Sequence, residues 1–212
     1  MWHTAQMSGL RAKQKADRQT RILETATMLF RENGYDAVKM ETIATAAEVS
    51  IGTIYNYYQN KGDLLVAIVA MEVNEVLTAG ERVITKPPKT AAKAIDTLIG
   101  NYIEHSLVYL SKEMWREAMA ISIRQPESPF GITYTALDVA LALQVFRLIE
   151  RLQQLGQVDT KADAKSIGEL IFNNTNMMFS VFVKSETMTV EHLRLNLRRQ
   201  MRPVILGLAK TQ

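Results

Sequence analysis

The segment SIGTIYNYY, residues 50–58, carries hydroxyl, amide and phenol groups and no carboxylate. In a helix over these residues, only Ile54 and Tyr58 have the i, i+4 spacing of an inward-facing pair. The remaining polar side chains would point outward. Hydroxyls and amides form hydrogen bonds with base edges and phosphates, and a face without negative charge suits an electronegative groove. The residue types therefore indicate binding to double-stranded DNA.

Two short helices are predicted to position this polar face. Upstream, Ile43, Ala44 and Ala47 fall on one face of a helix that starts near Met40. Val49 interrupts the pattern, and Ser50 is a good N-cap for a second helix, which we expect to continue to Tyr58. Two short helices, a turn of a few residues and small alanines at the crossing are typical of a helix-turn-helix.

Residues 43–65, IATAAEVSIGTIYNYYQNKGDLL, resemble a family signature. The family is that of the TetR-type transcriptional repressors, whose usual form is I-A-x-x-A-G-V-S-x-G-T-[LIF]-Y-x-[YH]-F-x-x-K-x-x-L. The matching positions are Ile43, Ala44, Ala47, Val49, Ser50, Gly52, Thr53, Tyr55, Tyr57, Lys61 and Leu64. Two positions depart from it. Lys39 stands where a hydroxyl cap is usual, and Glu48 stands where the family has Gly, which costs ~1–2 kcal/mol if the turn needs a positive φ.

The resemblance implies that the second motif helix lies in the major groove of DNA. It implies this DNA-binding set: Lys39, Thr42, Ser50, Ile51, Gly52, Thr53, Tyr55, Asn56, Tyr57 and Lys61. Of these, Ile51, Gly52, Tyr55 and Asn56 are expected at base edges, and the alternative that Tyr55 is partly buried stays open. Thr53, Tyr57 and Lys61 are expected at phosphates, with Lys39 and Thr42 as weaker candidates; Tyr58 is expected in the core.

Composition fits a DNA-binding protein without deciding the matter. The chain has 212 residues, 47% of them apolar, a net charge of +3 and no cysteine. Its N-terminal stretch, residues 1–18, is basic, with only Asp17 opposing the positive charges that run to Arg21. Such a run is either a solvated tail or a phosphate-contacting arm. Beside a helix-turn-helix we favour the arm.

The rest of the chain reads as helix after helix. We predict an all-α fold of about nine helices: residues 1–18 as the arm, 19–60 as a three-helix helix-turn-helix domain, and 61–212 as a larger C-terminal helical bundle. The helix from Lys61 is expected to link the two domains. Further helices are predicted at 90–110, 111–124, 132–155, 161–184 and 190–208, the fourth of them capped by Asp159 or Thr160.

For the C-terminal bundle, the resemblance implies a dimer interface in the last two helices. Surplus apolar residues there point to a covered surface. The predicted interface residues are Ile171, Met178, Phe182, Leu193, Leu197 and Val204. A two-fold homodimer would place two motif helices about one DNA turn, ~34–36 Å, apart on a near-palindromic operator.

The resemblance also implies a ligand pocket among the middle helices. The candidates are Tyr102, Trp115, Met119, Phe130, Tyr134, Phe146, Asn173, Asn176 and Met177. Met and aromatic residues at helical spacing are core more often than site. The asparagines, on an otherwise apolar helix, either satisfy each other across a dimer axis or bind a ligand. We expect a largely apolar small-molecule effector that releases the DNA, and no cofactor or metal.

Two other functional classes compete with DNA binding. The sequence lacks a glycine-rich phosphate loop, H-E-x-x-H and G-x-S-x-G, and its histidines lie far apart, so an enzyme is not expected. The alternative is a dimeric all-α adaptor that no longer reads DNA because of Lys39 and Glu48. No secretory signal is visible, and the longest uncharged apolar stretch, Leu170–Val183, is shorter than the ~20 residues of a spanning helix. A soluble cytoplasmic protein without membrane contact is expected.

Overall fold

The computed structural model describes the backbone of residues 2–208 and the side chains of residues 12–208. The helices are α1 (Trp2–Asn33), α2 (Met40–Ala46), α3 (Ile51–Tyr55), α4 (Lys61–Thr85), α5 (Ala91–His105), α6 (Lys112–Arg124), α7 (Pro129–Gln154), α8 (Ala164–Lys184) and α9 (Val190–Gly207). These nine helices, with no strand in the described range, confirm the predicted all-α fold. The chain divides into two compact units, one ending at Ile68 and the other beginning at Val69.

Unit 1 is built from α1, α2, α3 and the first turns of α4. Its core consists of side chains that are at most 5% exposed: Ile22, Ala26, Phe30, Val38, Ile43, Ala44, Ala47, Ile54, Tyr58, Leu64, Leu65 and Ile68. Gly34 ends α1 in a left-handed conformation with φ of 81°. Its amide donates to the carbonyl oxygen of Phe30 over 3.1 Å, which is a helix C-cap arrangement.

Helix α1 begins earlier than the pattern of apolar residues predicted. Instead of an arm up to residue 18 and a helix from Gln19, one helix runs from Trp2 to Asn33. Its first half contains no proline and is rich in helix-forming Ala, Gln, Lys and Arg, so backbone propensity extends the helix where no apolar stripe exists. Lys13, Lys15 and Arg18 are exposed along it, whereas the side chain of Arg11 lies outside the described residues.

Helix α4 belongs to both units. It runs without interruption from Lys61 to Thr85, and the division of the chain falls inside it, between Ile68 and Val69. Asn60 starts the helix, since its side-chain oxygen accepts a hydrogen bond from the amide of Asp63 over 3.0 Å.

Unit 2 contains the remainder of α4 and helices α5 to α9. Helices α7 and α8 run antiparallel and pack very closely, because a Cβ at Gly168 would lie 2.7 Å from the Cα of Phe146. Helix α8 starts at Ala164 and is capped by Asp163, whose side chain accepts from the amide of Lys165. The prediction of a cap at Asp159 or Thr160 is therefore wrong. Asp159 instead accepts from Lys161 within the preceding turn.

Helix α7 is long and apolar enough to cross a membrane, and it is the one helix between residues 2 and 208 with this property. The criterion is length and composition alone, which core helices of globular proteins also meet, so it is weak evidence for a span. However, only 28% of its most apolar window is buried inside the chain. Much of its apolar surface is thus left without cover within one protomer.

Candidate DNA-binding surface and effector cavity

The turn between α2 and α3 has the geometry of a helix-turn-helix. Ser50 caps α3: its side chain accepts from the amide of Thr53 over 3.1 Å and lies 2.8 Å from the Thr53 hydroxyl. Glu48 has a φ of 53° and is the non-glycine residue with positive φ in the described chain. The glycine-favouring conformation is therefore kept although the glycine is absent. Lys39 precedes α2 without a side-chain cap hydrogen bond.

Helix α3 presents a polar face to solvent and fixes itself through two buried residues. Ile54 is fully buried, and Tyr58 is 5% exposed with its hydroxyl accepting from Gln19 Nε2 over 3.2 Å. Burial raises the pKa of the Tyr58 phenol. The helix itself ends at Tyr55 rather than at Tyr58 as predicted, yet the amide of Tyr58 still bonds to the carbonyl of Ile54 at 2.9 Å.

Most of the predicted DNA-binding residues lie at the surface of unit 1. Those that are exposed are Lys39, Thr42, Ser50, Gly52, Tyr55 and Asn56, and those that are partly exposed are Ile51, Thr53, Tyr57 and Lys61. Asn56 is the C-cap of α3, and its side chain is free to reach outward. At Gly52 the nearest side-chain atom to a built Cβ is Ser50 Oγ at 3.9 Å, so the protein itself leaves this surface open.

Lys61 has partners within its own unit, which sequence reasoning did not foresee. Its ammonium donates to the carbonyl oxygens of Tyr35 at 2.7 Å and Asp36 at 3.1 Å, and it lies 4.4 Å from the centre of the Tyr35 ring. These contacts explain a cation in the first turn of α4 without a phosphate opposite it. The expected phosphate contact of Lys61 is therefore not needed to explain its position, and it stays a prediction.

Tyr57 lies against the basic part of α1. Its hydroxyl donates to the carbonyl of Lys15 at 3.5 Å, and the Lys15 ammonium lies 5.9 Å from the ring centre. Tyr57, in the turn that follows α3, and the exposed Lys15 of α1 therefore belong to one positively charged surface. We call this surface, from Lys13 and Lys15 to α3, the basic face.

Unit 2 contains a partly open cavity of about 70 Å³. Its lining is mainly apolar and aromatic. Five helices contribute residues to it, namely α4, α5, α7 and α8, and α6 through Trp115. The lining residues are Val69, Glu72, Val73, Val76, Tyr102, Ile103, Ser106, Trp115, Tyr134, Leu137, Asp138, Leu141, Phe172, Thr175, Asn176 and Phe179. Trp115 is held in place by donating from Nε1 to the carbonyl of Ser106 at 2.6 Å and by an edge-on contact with Phe179.

The cavity gathers some of the predicted ligand residues and not others. Tyr102, Trp115, Tyr134 and Asn176 line it. The five that do not are accounted for as follows: Phe130 is buried and stacks on Tyr134, Met119 is half-buried beside Ser180, Phe146 packs against Gly168, and Asn173 and Met177 are exposed. Helical spacing in the sequence did not show which of these side chains point towards the cavity.

Two acidic residues in the cavity wall were missed by sequence reasoning. Burial raises the pKa of the Asp138 carboxyl to about 6, although a hydrogen bond from Asn176 lowers that pKa in part. Burial also raises the pKa of Glu72, whose Oε1 lies 2.6 Å from Nδ1 of His105. One feature of the sequence could have indicated a cavity acid: Asp138 is a single carboxylate within the apolar run of α7.

The predicted dimer residues lie elsewhere than expected. Four of them, Ile171, Phe182, Leu193 and Leu197, are at most 3% exposed because they form the protomer's own core. They offer little surface to a partner, and the dimer interface assigned to them stays a prediction. Met178 and Val204 remain partly exposed.

A different apolar surface lies on α7 and α8. The residues on it are between 37% and 64% exposed: Ile132, Val139 and Leu143 on α7, and Leu170, Met177 and Val181 on α8. On each helix the three residues follow the same i, i+7, i+11 spacing, which places them on one stripe. We call these six residues the α7–α8 stripe.

Comparison with known proteins agrees with the fold and the motif. The family model described as "Bacterial regulatory proteins, tetR family" matches residues 22–68. The HTH-type transcriptional repressor KstR of Rhodococcus jostii is 26% identical over 72% of this chain, and the match spans 65% of that relative, just under two thirds of its length. The fatty acid metabolism regulator protein of Bacillus subtilis is 28% identical over 82% of this chain and 88% of its own.

A solved structure extends the similarity to both units. The transcriptional regulator FadR from Bacillus subtilis in complex with stearoyl-CoA superposes with a TM-score of 0.65 at 19% identity, covering 86% of this chain and 97% of that one. At this identity the likeness concerns the fold. The motif in unit 1, the relatives that span both units and the shared all-α fold agree: residues 22–68 match the DNA-binding part of the TetR family, and the whole chain has the fold of TetR-family regulators.

Proposed function

We propose that this protein is a transcriptional repressor that binds a near-palindromic operator as a homodimer and leaves it when a small molecule enters unit 2. The observation that carries the proposal is the exposed polar face of α3, held by the buried pair Ile54 and Tyr58. The buried Ile54 and Tyr58 fix the position of α3, while Gly52 and Asn56 stay exposed. This arrangement suits binding to an external partner.

DNA is the partner that fits this face. Asn56 can form a bidentate pair with adenine, worth ~1–3 kcal/mol of discrimination, and Gly52 allows the backbone to approach the bases. The basic face beside it, with Lys13, Lys15 and Arg18 exposed, suits the phosphate backbone. KstR of Rhodococcus jostii is itself named a transcriptional repressor. A cytoplasmic location follows from this role.

The α7–α8 stripe is where we propose that the second protomer binds. It leaves large side chains such as Met177, 64% exposed, without cover in a single chain. Two antiparallel helices that pack as tightly as α7 and α8 form a rigid, self-complementary surface. A two-fold axis through it would give a four-helix interface. The α7–α8 stripe is proposed in place of the predicted interface, four of whose six residues are buried in the core.

The cavity is the proposed effector site, and α4 is the proposed link to the DNA. Val69, Glu72, Val73 and Val76 of α4 line the cavity, and the same helix begins in unit 1. At about 70 Å³ the cavity is well below the 300–1,000 Å³ typical of ligand pockets, so an effector must displace side chains to enter. That displacement is the source of differential affinity, ~1–3 kcal/mol in typical coupled systems.

The test begins with selection of bound duplexes from a random library by the full-length protein, followed by titration of the selected duplex. We expect saturable binding that weakens steeply with salt, and a salt slope reduced by ~1 for Lys15→Gln. Asn56→Ala should relax specificity at one base pair, and Tyr57→Ala should weaken binding. Asn33→Ala, an amide at the end of α1 and away from α3, is the matched control.

A protein that ignores every duplex at low ionic strength would reject the proposal. In that case the alternative, a dimeric all-α adaptor that has lost DNA binding, becomes the better description. The dimer is tested separately by sedimentation: Met177→Asp should give monomers, whereas Met28→Asp, also at an exposed methionine but on α1, should not.

A further inference from the structure

The cavity in unit 2 contains an uncompensated acid. Asp138 contributes to the wall and accepts a hydrogen bond from Asn176, which is neutral. Among the residues whose side chains are described, no Lys, Arg or His forms an ion pair with it. Buried carboxylates are ordinarily paired, because transfer of a charge out of water is costly.

The second cavity acid is in a different position. Glu72 is 2% exposed, and its Oε1 lies 2.6 Å from His105 Nδ1, while His105 Nε2 lies 3.2 Å from Glu75. Glu72 therefore has an internal partner that can carry positive charge. Asp138 is the carboxyl group for which the described chain supplies no cation.

Aromatic rings surround this acid. Trp115, Tyr102, Tyr134, Phe172 and Phe179 all line the same cavity. The faces of such rings attract cations, and most strongly where the site is shielded from water. Their surfaces also provide the apolar burial that a hydrophobic ligand body needs.

We propose that the cavity binds a compact cationic amphiphile, a protonated amine on an aromatic or aliphatic body, with its ammonium group against Asp138 and its body among the rings of Trp115 and Tyr134. This rests on the proposed function in one respect, that the cavity is the effector site. It specifies a charge which composition alone left open.

An anionic effector is disfavoured by the same geometry. Asp138, which has no cation partner in the described chain, repels a carboxylate or phosphate in the same cavity, and low local polarity strengthens the repulsion. The FadR structure from Bacillus subtilis holds stearoyl-CoA, a thioester with an anionic carrier. We therefore expect this chain to bind a different class of ligand from that relative, although the two share a fold.

The experiment is calorimetric titration of the full-length protein with matched probes that differ only in the polar group. These are 2-phenylethylamine, 2-phenylethanol and phenylacetate, and the three naphthyl counterparts with a larger body. We expect each amine to bind at least about tenfold more tightly than its alcohol, and each carboxylate to bind least. Asp138→Asn should remove the preference for the amine, whereas Glu150→Gln, an exposed acid on the same helix, should retain it.

Equal affinity for amine and alcohol, tighter binding of the carboxylate or of stearoyl-CoA, or no amine binding at millimolar concentration would each overturn the proposal. The DNA titration is read independently. A protein that binds the amine but no duplex loses the repressor role and keeps the cation site. One that binds its duplex and releases it only with stearoyl-CoA keeps the repressor role and loses the cation site.

Discussion

Tyr102 donates its phenolic hydrogen to Oε1 of Gln144 over 2.7 Å, and this bond joins α5 to α7 beside the cavity. Gln144 is 2% exposed and extends its amide nitrogen to the carbonyl of Leu77 at 2.8 Å and to Glu81 at 2.9 Å. Glu81 in turn binds Arg147 through two hydrogen bonds. A side chain in the cavity is thus joined through one buried amide to the helix that continues into unit 1.

Tyr102→Phe should lower the free energy of unfolding by ~1–3 kcal/mol. The ring remains, but Gln144 Oε1 loses its donor in a buried place, and an unsatisfied buried acceptor costs about that much. Chemical denaturation followed by circular dichroism measures the change. Tyr109→Phe, which removes a hydroxyl bonded to the more exposed Glu75, is the matched control with a smaller expected loss.

Gly80→Ala should disturb the same connection from the other side. A Cβ at this position would lie 2.0 Å from Gln144 Oε1, so the amide must leave α4. We expect reduced stability despite the better helix propensity of Ala, ~1 kcal/mol. Gly207→Ala in α9 has open space around it and should show the propensity gain alone. If both variants gain stability equally, the close contact between Gly80 and Gln144 is not needed.

Asp138→Asn should stabilise the ligand-free protein, most strongly above pH 6. The pKa of Asp138 is about 6 in the folded chain against 3.8 for the free group, because burial disfavours the charge. Between these values the carboxyl is ionised only in the unfolded chain, so folding stability falls as pH rises. Above about 6 the full cost applies, ~3 kcal/mol as an upper limit. Asn carries no such cost.

Thermal unfolding of the wild type and Asp138→Asn from pH 4 to pH 8 measures this difference. The two curves should converge near pH 4 and separate towards pH 8. The other titratable groups near the cavity are Glu72, His105, Tyr102 and Tyr134, and they are common to both proteins. A variant that is less stable than the wild type at pH 8 would contradict the expectation.

Lys61→Gln should destabilise unit 1 in the absence of DNA. The ammonium donates to two carbonyl oxygens and lies over the ring of Tyr35, and hydrogen bonds to charged groups contribute ~1.5–3 kcal/mol. With partial exposure we expect a loss of ~1–2 kcal/mol in denaturant titrations. Lys39→Gln, at an exposed position, should change stability by less than ~0.5 kcal/mol. Equal stability of the two variants would return Lys61 to a purely DNA-contacting role.

Glu48→Gly should raise stability by ~1 kcal/mol. The residue is held at φ 53°, where a side chain costs ~1–2 kcal/mol and glycine does not. The gain is reduced by the greater entropy of glycine in the unfolded chain. Ala46→Gly at the end of α2 is the opposite control, since helical φ gives glycine no advantage there. Destabilisation by both changes would show that Glu48 makes a compensating contact.

The helix-turn-helix and the all-α fold could be predicted from the amino-acid sequence alone. Local signals decide these features: Ser50 caps α3, Ile54 and Tyr58 face inward at i, i+4, and Gly34 ends α1. Each depends on neighbours within a few residues. Helix ends followed less closely, as at α1, where propensity extends the helix beyond the apolar stripe.

Which apolar residues face inward and which lie at the surface depends on how the helices pack against one another. Ile171 and Met177 are both apolar residues of α8, yet one is fully buried and the other 64% exposed, because α7 covers one side of the helix and not the other. Likewise, the sequence does not show that Asp138 lies in a cavity wall. It does so because residues of α4, α5 and α8 line the same cavity and leave it only partly exposed. Residues distant in sequence set these environments, and no local pattern records them.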